Sequence, residues 1–280
     1  TFNPDVIISD FEPFVSAIGT IRSIPVISMD NQHVISFCSL EYPMAWIPDY
    51  LLARTICDNI NRFARHFFLT SFFGPELKPD VSVKATLVGP IQRKEVLSQT
   101  PVNGEHILVY IRTPDRAQSI LPLMEKLDAR FIAYGFEPPE AVRNVTFKKP
   151  SDSEFLRDLA SSRAVITNGG HSLISEALYL GKPVYSIPTR GDFEQMLNAH
   201  YVERLGYGLC DIAPSGGRLH AFLDNLRHFE CNIENDQRKF NGNERFFGLL
   251  ETRIESLAKS HRLQKKRART LLAVRYFSPR

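Results

Sequence analysis

Short apolar runs alternate along this chain with stretches in which apolar residues recur every three or four positions. Residues 6–9 and 25–28 have the profile of buried parallel strands, and residues 11–22 between them carry one apolar helical face. A helix is predicted over residues 51–64 and a further strand over residues 66–70. The first part of the chain therefore predicts a parallel sheet with helices packed against it.

The same alternation starts again after a turn-rich stretch, so we place a domain boundary near residues 90–103. The pattern predicts strands over residues 106–111, 130–134, 164–167 and 183–187, and helices over residues 117–127, 153–161, 172–179 and 194–205. The sequence thus predicts an α/β protein with two Rossmann-like domains, the N-terminal one incomplete. Residues 1–90 would be the second part of the N-terminal domain, 91–235 the C-terminal domain and 236–280 a basic helical tail.

The composition is that of a soluble globular chain, with 43% hydrophobic, 23% charged and 11% aromatic residues. It excludes a disordered, collagen-like or coiled-coil protein. No run approaches the ~18–20 unbroken apolar residues that a membrane span needs. The four cysteines are scattered without a CxxC pair, which predicts neither a zinc site nor a disulfide framework, and we expect a cytoplasmic protein.

The strongest local signal for chemistry is the apolar strand that runs into Asn168-Gly169-Gly170, where a helix begins at once. Glycines let the backbone turn sharply and approach a ligand closely. The free N–H groups at a helix start carry a positive partial charge that suits a phosphate. Glu176, inside this helix, can accept hydrogen bonds from a sugar diol beside that phosphate. A tight turn followed by a solvated glutamate is the alternative interpretation.

A second polar loop, containing Glu194 and Gln195, follows the next predicted strand. Loops at the carboxyl ends of neighbouring strands in an open α/β sheet converge on one crevice. The carboxylate oxygens of Glu194 and the amide of Gln195 together suit the recognition of several sugar hydroxyls. Either residue alone would more simply be a surface residue, so this prediction depends on the two loops lying side by side.

The run from Thr167 to Gly208 resembles the donor-binding segment of GT-B nucleotide-sugar glycosyltransferases, namely family 1 (UDP-glycosyltransferases) and family 28 (GlcNAc transferases). The matching pieces are Asn168-Gly169-Gly170, Glu176, Gly181-Lys182-Pro183, Pro188, Glu194-Gln195, Asn198-Ala199 and Gly206-Tyr207-Gly208. The Asp-Asn-Gln-His segment at residues 30–33 adds a likeness to poorly characterised prokaryotic transferases. The resemblance implies a GT-B fold and transfer of a hexose from a nucleotide-diphospho-sugar to an acceptor hydroxyl, and we expect the donor to be a UDP-sugar.

The same resemblance implies an inverting reaction that needs no metal and no cofactor beyond the donor. The diphosphate would be held by Asn168, Gly169, Gly170, His171 and Ser172, with added charge from Arg112. Glu176 would take the ribose hydroxyls, Glu194 and Gln195 would contact the transferred sugar, and backbone near residues 134–136 and 148–150 would hold the base. Asn168 stands where plant-type members have a phosphate-contacting histidine, which leaves His171 as a candidate substitute. An exposed loop arginine is the alternative for Arg112.

A general base must deprotonate the acceptor hydroxyl. In family 1 this base is a histidine that an aspartate orients, and Asp10, at the end of the first predicted strand, resembles the orienting aspartate. Its histidine partner would lie upstream of Thr1. Capping of the following helix is the alternative role for Asp10. His33, at the carboxyl end of the second strand, is a candidate to line the acceptor cleft, against the commoner role of a hydrogen-bonded structural histidine.

The net charge of +3 hides an asymmetry, because residues 259–280 contain eight Lys and Arg and no acidic residue. An amphipathic basic segment can lie on an anionic membrane surface, which would suit a lipid-linked acceptor and a peripheral place on the inner face of the membrane. A solvated terminal helix is the alternative. No motif accompanies this charge that predicts a nucleic-acid partner.

Two further functions stay open at this point. A non-hydrolysing UDP-GlcNAc 2-epimerase shares the two-sheet architecture, but it should carry a richer set of carboxylates, arginines and histidines in its interdomain cleft. A non-catalytic donor-binding subunit of a split transferase would act only with a partner that supplies the rest of the acceptor domain.

Overall fold

The first parallel sheet is built from strands β1 (Ile7–Ser9), β2 (Val26–Asp30), β3 (His66–Thr70) and β4 (Ala85–Val88), paired in that order. A computed structural model describes the chain over residues 4–81, 84–135, 142–149 and 151–277, with backbone alone at 114–116 and 266–277. Helices α1 (Pro13–Ile21), α2 (Val34–Phe37) and α3 (Ile47–Asn59) connect the strands, and a 3-10 turn at Met44–Trp46 precedes α3. Every residue of β3 is buried, as its run of apolar residues predicts.

The second parallel sheet has the order β10-β9-β8-β5-β6-β7. Its strands are β5 (His106–Tyr110), β6 (Arg130–Tyr134), β7 (Val145–Lys148), β8 (Ala164–Thr167), β9 (Val184–Ser186) and β10 (Gly208–Cys210). The helices around it are α4 (Lys94–Leu97), α5 (Pro114–Met124), α6 (Asp152–Ser161), α7 (His171–Tyr179), α8 (Phe193–Arg204), α9 (Gly216–Asp224) and α10 (Leu226–Asn235). The direction in which strands are added reverses between β5 and β8. Ligands of open α/β sheets bind at such a switch point, outside the carboxyl ends of the strands.

Aromatic side chains join the two halves of the chain next to this switch point. The rings of Phe73, after β3, and Tyr201, on α8, are stacked with their centroids 4.0 Å apart. Tyr42 and Tyr50 pack edge-on against Phe193 at the start of α8. Because Glu194 and Gln195, predicted in a loop, lie in the first turn of α8, this packing places them against the first sheet.

The C-terminal helix α11 (Asn243–Phe277) returns to the first sheet. Phe246 is buried with Ile27, Phe68 and Val88 in one apolar cluster, and Leu250, Ile254 and Leu257 pack against the same cluster. The first half of this helix is therefore part of the fold, although the sequence predicts residues 236–280 as a tail. None of the described helices is long and apolar enough to cross a membrane.

The predicted elements agree with the structure in type and order, with ends shifted by up to five residues. β3 and β8 lie where the pattern predicts them, and the structure adds the short strands β7 and β10, which the pattern missed. The domain limits at residues 90 and 235 stay predictions.

Candidate functional site

A cavity of about 600 Å³ lies between the carboxyl ends of the two sheets. Its polar walls bring together most of the predicted site residues: Asp10, Arg112, Asn168, Gly170, His171, Ser172, Glu194 and Gln195. Asp30, Asn31, Gln32 and Thr70 complete the wall from the first sheet. The remaining three predicted residues, His33, Gly169 and Glu176, do not line this cavity. The two predicted segments therefore meet in one cavity, and residues from the first sheet form part of its wall.

The glycine turn between β8 and α7 exposes the helix start to the cavity. Gly169 has a φ of +90°, and a Cβ atom there would lie 2.8 Å from the carbonyl oxygen of Gln195. This turn is held by Asn198, whose Nδ2 donates to the carbonyl oxygen of Gly169 at 3.1 Å. Gly170 has no atom within 4 Å of the position its Cβ would take. The first N–H groups of α7 have no partner within the helix and can bind an anion in the cavity.

The amide of Gln195 is oriented by its neighbours. The backbone N–H of Thr189 donates to Oε1 at 3.1 Å, and Nδ2 of Asn168 donates to the same oxygen at 3.3 Å. A backbone N–H can only donate, so the atom facing Thr189 must be the oxygen. Gln195 therefore has its Nε2 donor available to a ligand in the cavity that it lines. Asn168 helps to orient the Gln195 amide, and the sequence did not predict this contact.

Glu194 joins the two halves of the cavity. Its carboxylate lies beside the side-chain amides of Gln32, from the first sheet, and of Asn198 on α8, and both amides favour its ionised form. Burial, together with the negative charges of Asp192 and Asp30, raises the pKa of Glu194 to about 7. Gln32 is a site residue that the sequence analysis quoted without a role, and only its position after β2 hinted at one.

The raised pKa of Glu194 predicts that replacing this residue stabilises the protein, and that the gain in the free energy of unfolding depends on pH. Ionising this carboxyl costs more in the folded than in the unfolded protein, so the wild type loses stability as pH rises from about 5 to about 7. Glu194→Gln stays neutral at every pH. Its free energy of unfolding should therefore rise relative to wild type by about 1–3 kcal/mol between pH 5 and pH 8, measured by urea denaturation.

Glu234→Gln is the matched control for this comparison, since the Glu234 side chain is 59% exposed. It should give the same difference from wild type at both pH values. Burial lowers the pKa of His66 and of His171 to about 4, which costs stability as pH falls below about 6.5 in all three proteins and cancels between them. A Glu194→Gln difference that does not change with pH would contradict the environment described for this carboxyl.

Positive charge in the cavity comes from Arg112. His171 lines the cavity, but its lowered pKa, about 4, makes it neutral at pH 7, so it replaces a cationic histidine only as a neutral hydrogen-bond donor. Among the described residues that line the cavity, Arg112 is the sole Lys or Arg. No group of His, Cys, Asp and Glu in the described part of the chain is arranged to hold a metal ion.

Glu176 lies beside the cavity on α7 and is paired with a residue the sequence analysis did not consider. Arg93 donates to both of its carboxylate oxygens, from Nε to Oε1 at 2.8 Å and from Nη2 to Oε2 at 3.1 Å. The Glu176 side chain is only 9% exposed. Its carboxylate is therefore held near the predicted ribose position by an ion pair and is not solvated.

His33 does not lie in the cleft where the sequence placed it. It is 1% exposed, with Nδ1 2.8 Å from both carboxylate oxygens of Asp30 and Nε2 3.0 Å from the carbonyl oxygen of Ile60. Asp30 also accepts from the backbone N–H of His33, which turns the ring inward. In this geometry His33 closes the loop after β2, and a catalytic role for it stays a prediction from the sequence.

Asp10 is the predicted catalytic residue that does reach the cavity. It is exposed just after β1. Partial burial of its carboxyl group and the negative charge of Asp30 raise its pKa.

The sequence predicts that backbone near residues 134–136 and 148–150 holds the base. Of these residues, Phe136 and Pro150 lie outside the described part of the chain. Tyr134 and Lys148 both bind Asp158.

A family model described as glycosyl transferase family 1 matches residues 1–227. An uncharacterized glycosyltransferase of Methanosarcina mazei is 27% identical over 244 residues, which cover 74% of this chain and 60% of the relative. Another from Methanosarcina acetivorans is 27% identical over 241 residues, with the same shares covered. The chain thus spans about 60% of the length of the curated relatives it matches.

Solved structures with the same arrangement have low sequence identity to this chain. The glycotransferase of kitacinnamycin is 18% identical with a TM-score of 0.59, covering 89% of this chain and 76% of that one. An Arabidopsis thaliana protein complexed with UDP-L-rhamnose is 15% identical with a TM-score of 0.61, covering 91% and 71%. An O. sativa protein in complex with UDP is 12% identical with a TM-score of 0.64, covering 92% and 78%. These likenesses confirm the predicted fold.

Proposed function

Because this chain belongs to glycosyl transferase family 1, we propose that its cleft binds a nucleotide-diphospho-sugar and that the protein transfers the sugar to an acceptor hydroxyl. The observation that carries the proposal is the meeting of the α7 N-terminus with Glu194 and Gln195 in one cavity. An anion-binding helix start beside oriented amide and carboxyl groups suits a phosphate joined to a sugar.

The donor would lie with its diphosphate on the N–H groups at the start of α7 and on Arg112. Its ribose would lie toward Glu176, and its sugar against Gln195 and Glu194. UDP is the proposed nucleotide, since two solved proteins of the same fold are in complex with UDP or UDP-L-rhamnose. Gln195 would give a hydrogen bond from Nε2 to a sugar oxygen, because its Oε1 is already occupied.

Transfer would proceed by one displacement with inversion. The acceptor oxygen bonds to the anomeric carbon as the bond from that carbon to the diphosphate oxygen breaks, and the acceptor proton passes to a general base. Asp10, on the acceptor side, would orient that base. The partial charge of α7 and Arg112 would stabilise the departing diphosphate without a metal ion.

The finer assignments stay predictions from the sequence. They are the absence of a cofactor beyond the donor, an acceptor that is lipid-linked, peripheral membrane contact through residues 259–280, the absence of a nucleic-acid partner, and a cytoplasmic location. Side chains beyond residue 265 lie outside the described part of that segment.

Thermal unfolding and calorimetric titration with UDP, GDP, dTDP and UMP test the proposal, each with EDTA and with Mg²⁺. UDP should bind best, and at about 100 times its Kd it should stabilise the fold by roughly 2.7 kcal/mol. EDTA should leave this unchanged. A folded protein that no nucleoside diphosphate stabilises would contradict the proposal, and conversion of UDP-GlcNAc to its 2-epimer without acceptor would favour an epimerase.

A further inference from the structure

The segment between the two sheets is attached to the donor helix α7 by two consecutive residues. Gln92 is buried, and its Nε2 donates to the carbonyl oxygens of Ser175 at 3.0 Å and Phe240 at 2.8 Å. Its backbone N–H donates to Oδ1 of Asn243 at 2.7 Å. Gln92 thus fixes the backbone of this segment against the residue that precedes Glu176, and Arg93 follows directly.

Arg93 uses this fixed position to hold the Glu176 carboxylate from the side. The contact is bidentate, with Nε and Nη2 each bound to a different oxygen. A bidentate guanidinium–carboxylate pair restricts orientation as well as adding attraction. The Arg93 side chain is 48% exposed and that of Glu176 is 9% exposed, so loss of the pair would leave the nearly buried carboxylate without its charged partner.

The pair leaves Glu176 able to bind a diol. Two carboxylate oxygens offer about four lone-pair positions, and Arg93 occupies one on each oxygen. One position on each oxygen remains, which is what two adjacent ribose hydroxyls require. Without Arg93, the nearly buried carboxylate would keep its desolvation cost and lose the contact that sets its orientation.

We propose that Arg93 is a positioning residue for the nucleoside: it orients Glu176 so that the carboxylate accepts from the ribose hydroxyls of the donor. This inference rests on the proposed function, because it needs a ribonucleotide in the cleft. Arg93 acts through Glu176 and makes no contact with the reacting atoms. Its contribution to binding should therefore depend on the two ribose hydroxyls.

Calorimetric titration of UDP and 2′,3′-dideoxy-UDP against wild type, Arg93→Gln and Arg93→Lys tests this role. Wild type should prefer UDP by at least about tenfold, the size expected for one hydrogen bond to a charged group. Arg93→Gln should reduce that preference to within about twofold while its affinity for 2′,3′-dideoxy-UDP stays within about twofold of wild type. Arg93→Lys, which keeps the charge without the bidentate geometry, should recover part of the preference.

Arg130→Gln is the matched control, because Arg130 also pairs with a glutamate, Glu105, at 2.8 Å, but on the surface of the same half of the chain. It should keep the full preference for UDP, and thermal unfolding should show every variant folded. If Arg93→Gln weakens both nucleotides equally, or neither, this inference is overturned while UDP binding by wild type still supports the proposed function. If folded wild type binds neither nucleotide, that result contradicts both the proposed function and this inference.

Discussion

Gly169→Ala is expected to destabilise the protein by about 2–5 kcal/mol. The added Cβ would meet the carbonyl oxygen of Gln195 at 2.8 Å, and alanine rarely adopts the φ of +90° found here. Relief of this contact must move either the glycine turn or the first turn of α8, both of which border the cavity. The free energy of unfolding from urea denaturation measures the effect, and UDP binding should weaken with it.

Gly170→Ala provides the control within the same turn. Gly170 has a φ of −66°, and nothing lies within 4 Å of its Cβ position. Alanine fits there without strain, so stability should stay unchanged or rise by up to about 1 kcal/mol. Equal losses from the two substitutions would contradict the turn geometry described here.

Gln195→Glu is expected to weaken binding of a UDP-sugar by about tenfold to a hundredfold while UDP binding changes by less than about threefold. The carboxylate still accepts from Thr189 and Asn168, so the local structure is kept. What is lost is the Nε2 donor in the cavity, and a second acidic group is placed beside Glu194. Calorimetric titration with UDP and with the preferred UDP-sugar measures the two affinities.

Gln237→Glu makes the same chemical change at an exposed position. It should leave both affinities as they are in wild type. A Gln195→Glu protein that loses UDP and UDP-sugar affinity to the same extent would place Gln195 at the nucleotide, and one that loses neither would remove it from the donor site.

The sequence predicted the glycine turn and its two flanking elements because their signals are local. The apolar run of β8 ends directly at Asn168-Gly169-Gly170, and a helical pattern begins at once. β10 and β7 lie at the two edges of the second sheet, and each has only one buried residue. Neither therefore shows the continuous apolar run by which the buried strands were recognised.

The sequence predicted those site residues that come directly after a strand. It could not predict those whose role depends on a contact with a residue far away in the chain. Glu194 and Gln195 reach the cavity as the neighbouring-strand argument requires. Arg93 is 83 positions from Glu176, and no local pattern relates the two. His33 also follows a strand end, but the Asp30 carboxylate binds both its backbone N–H and its ring, which draws the side chain into the core.

Hydrogen–deuterium exchange with and without saturating UDP-sugar shows whether the donor binds in this cleft, because it locates the donor on the chain. We expect slower exchange of backbone amides over residues 168–176 and 189–195, which include the α7 N-terminus and the start of α8. Residues 216–235, in α9 and α10, should exchange at an unchanged rate. Protection confined to other segments, or none at a saturating concentration of a bound UDP-sugar, would contradict a donor site in this cleft.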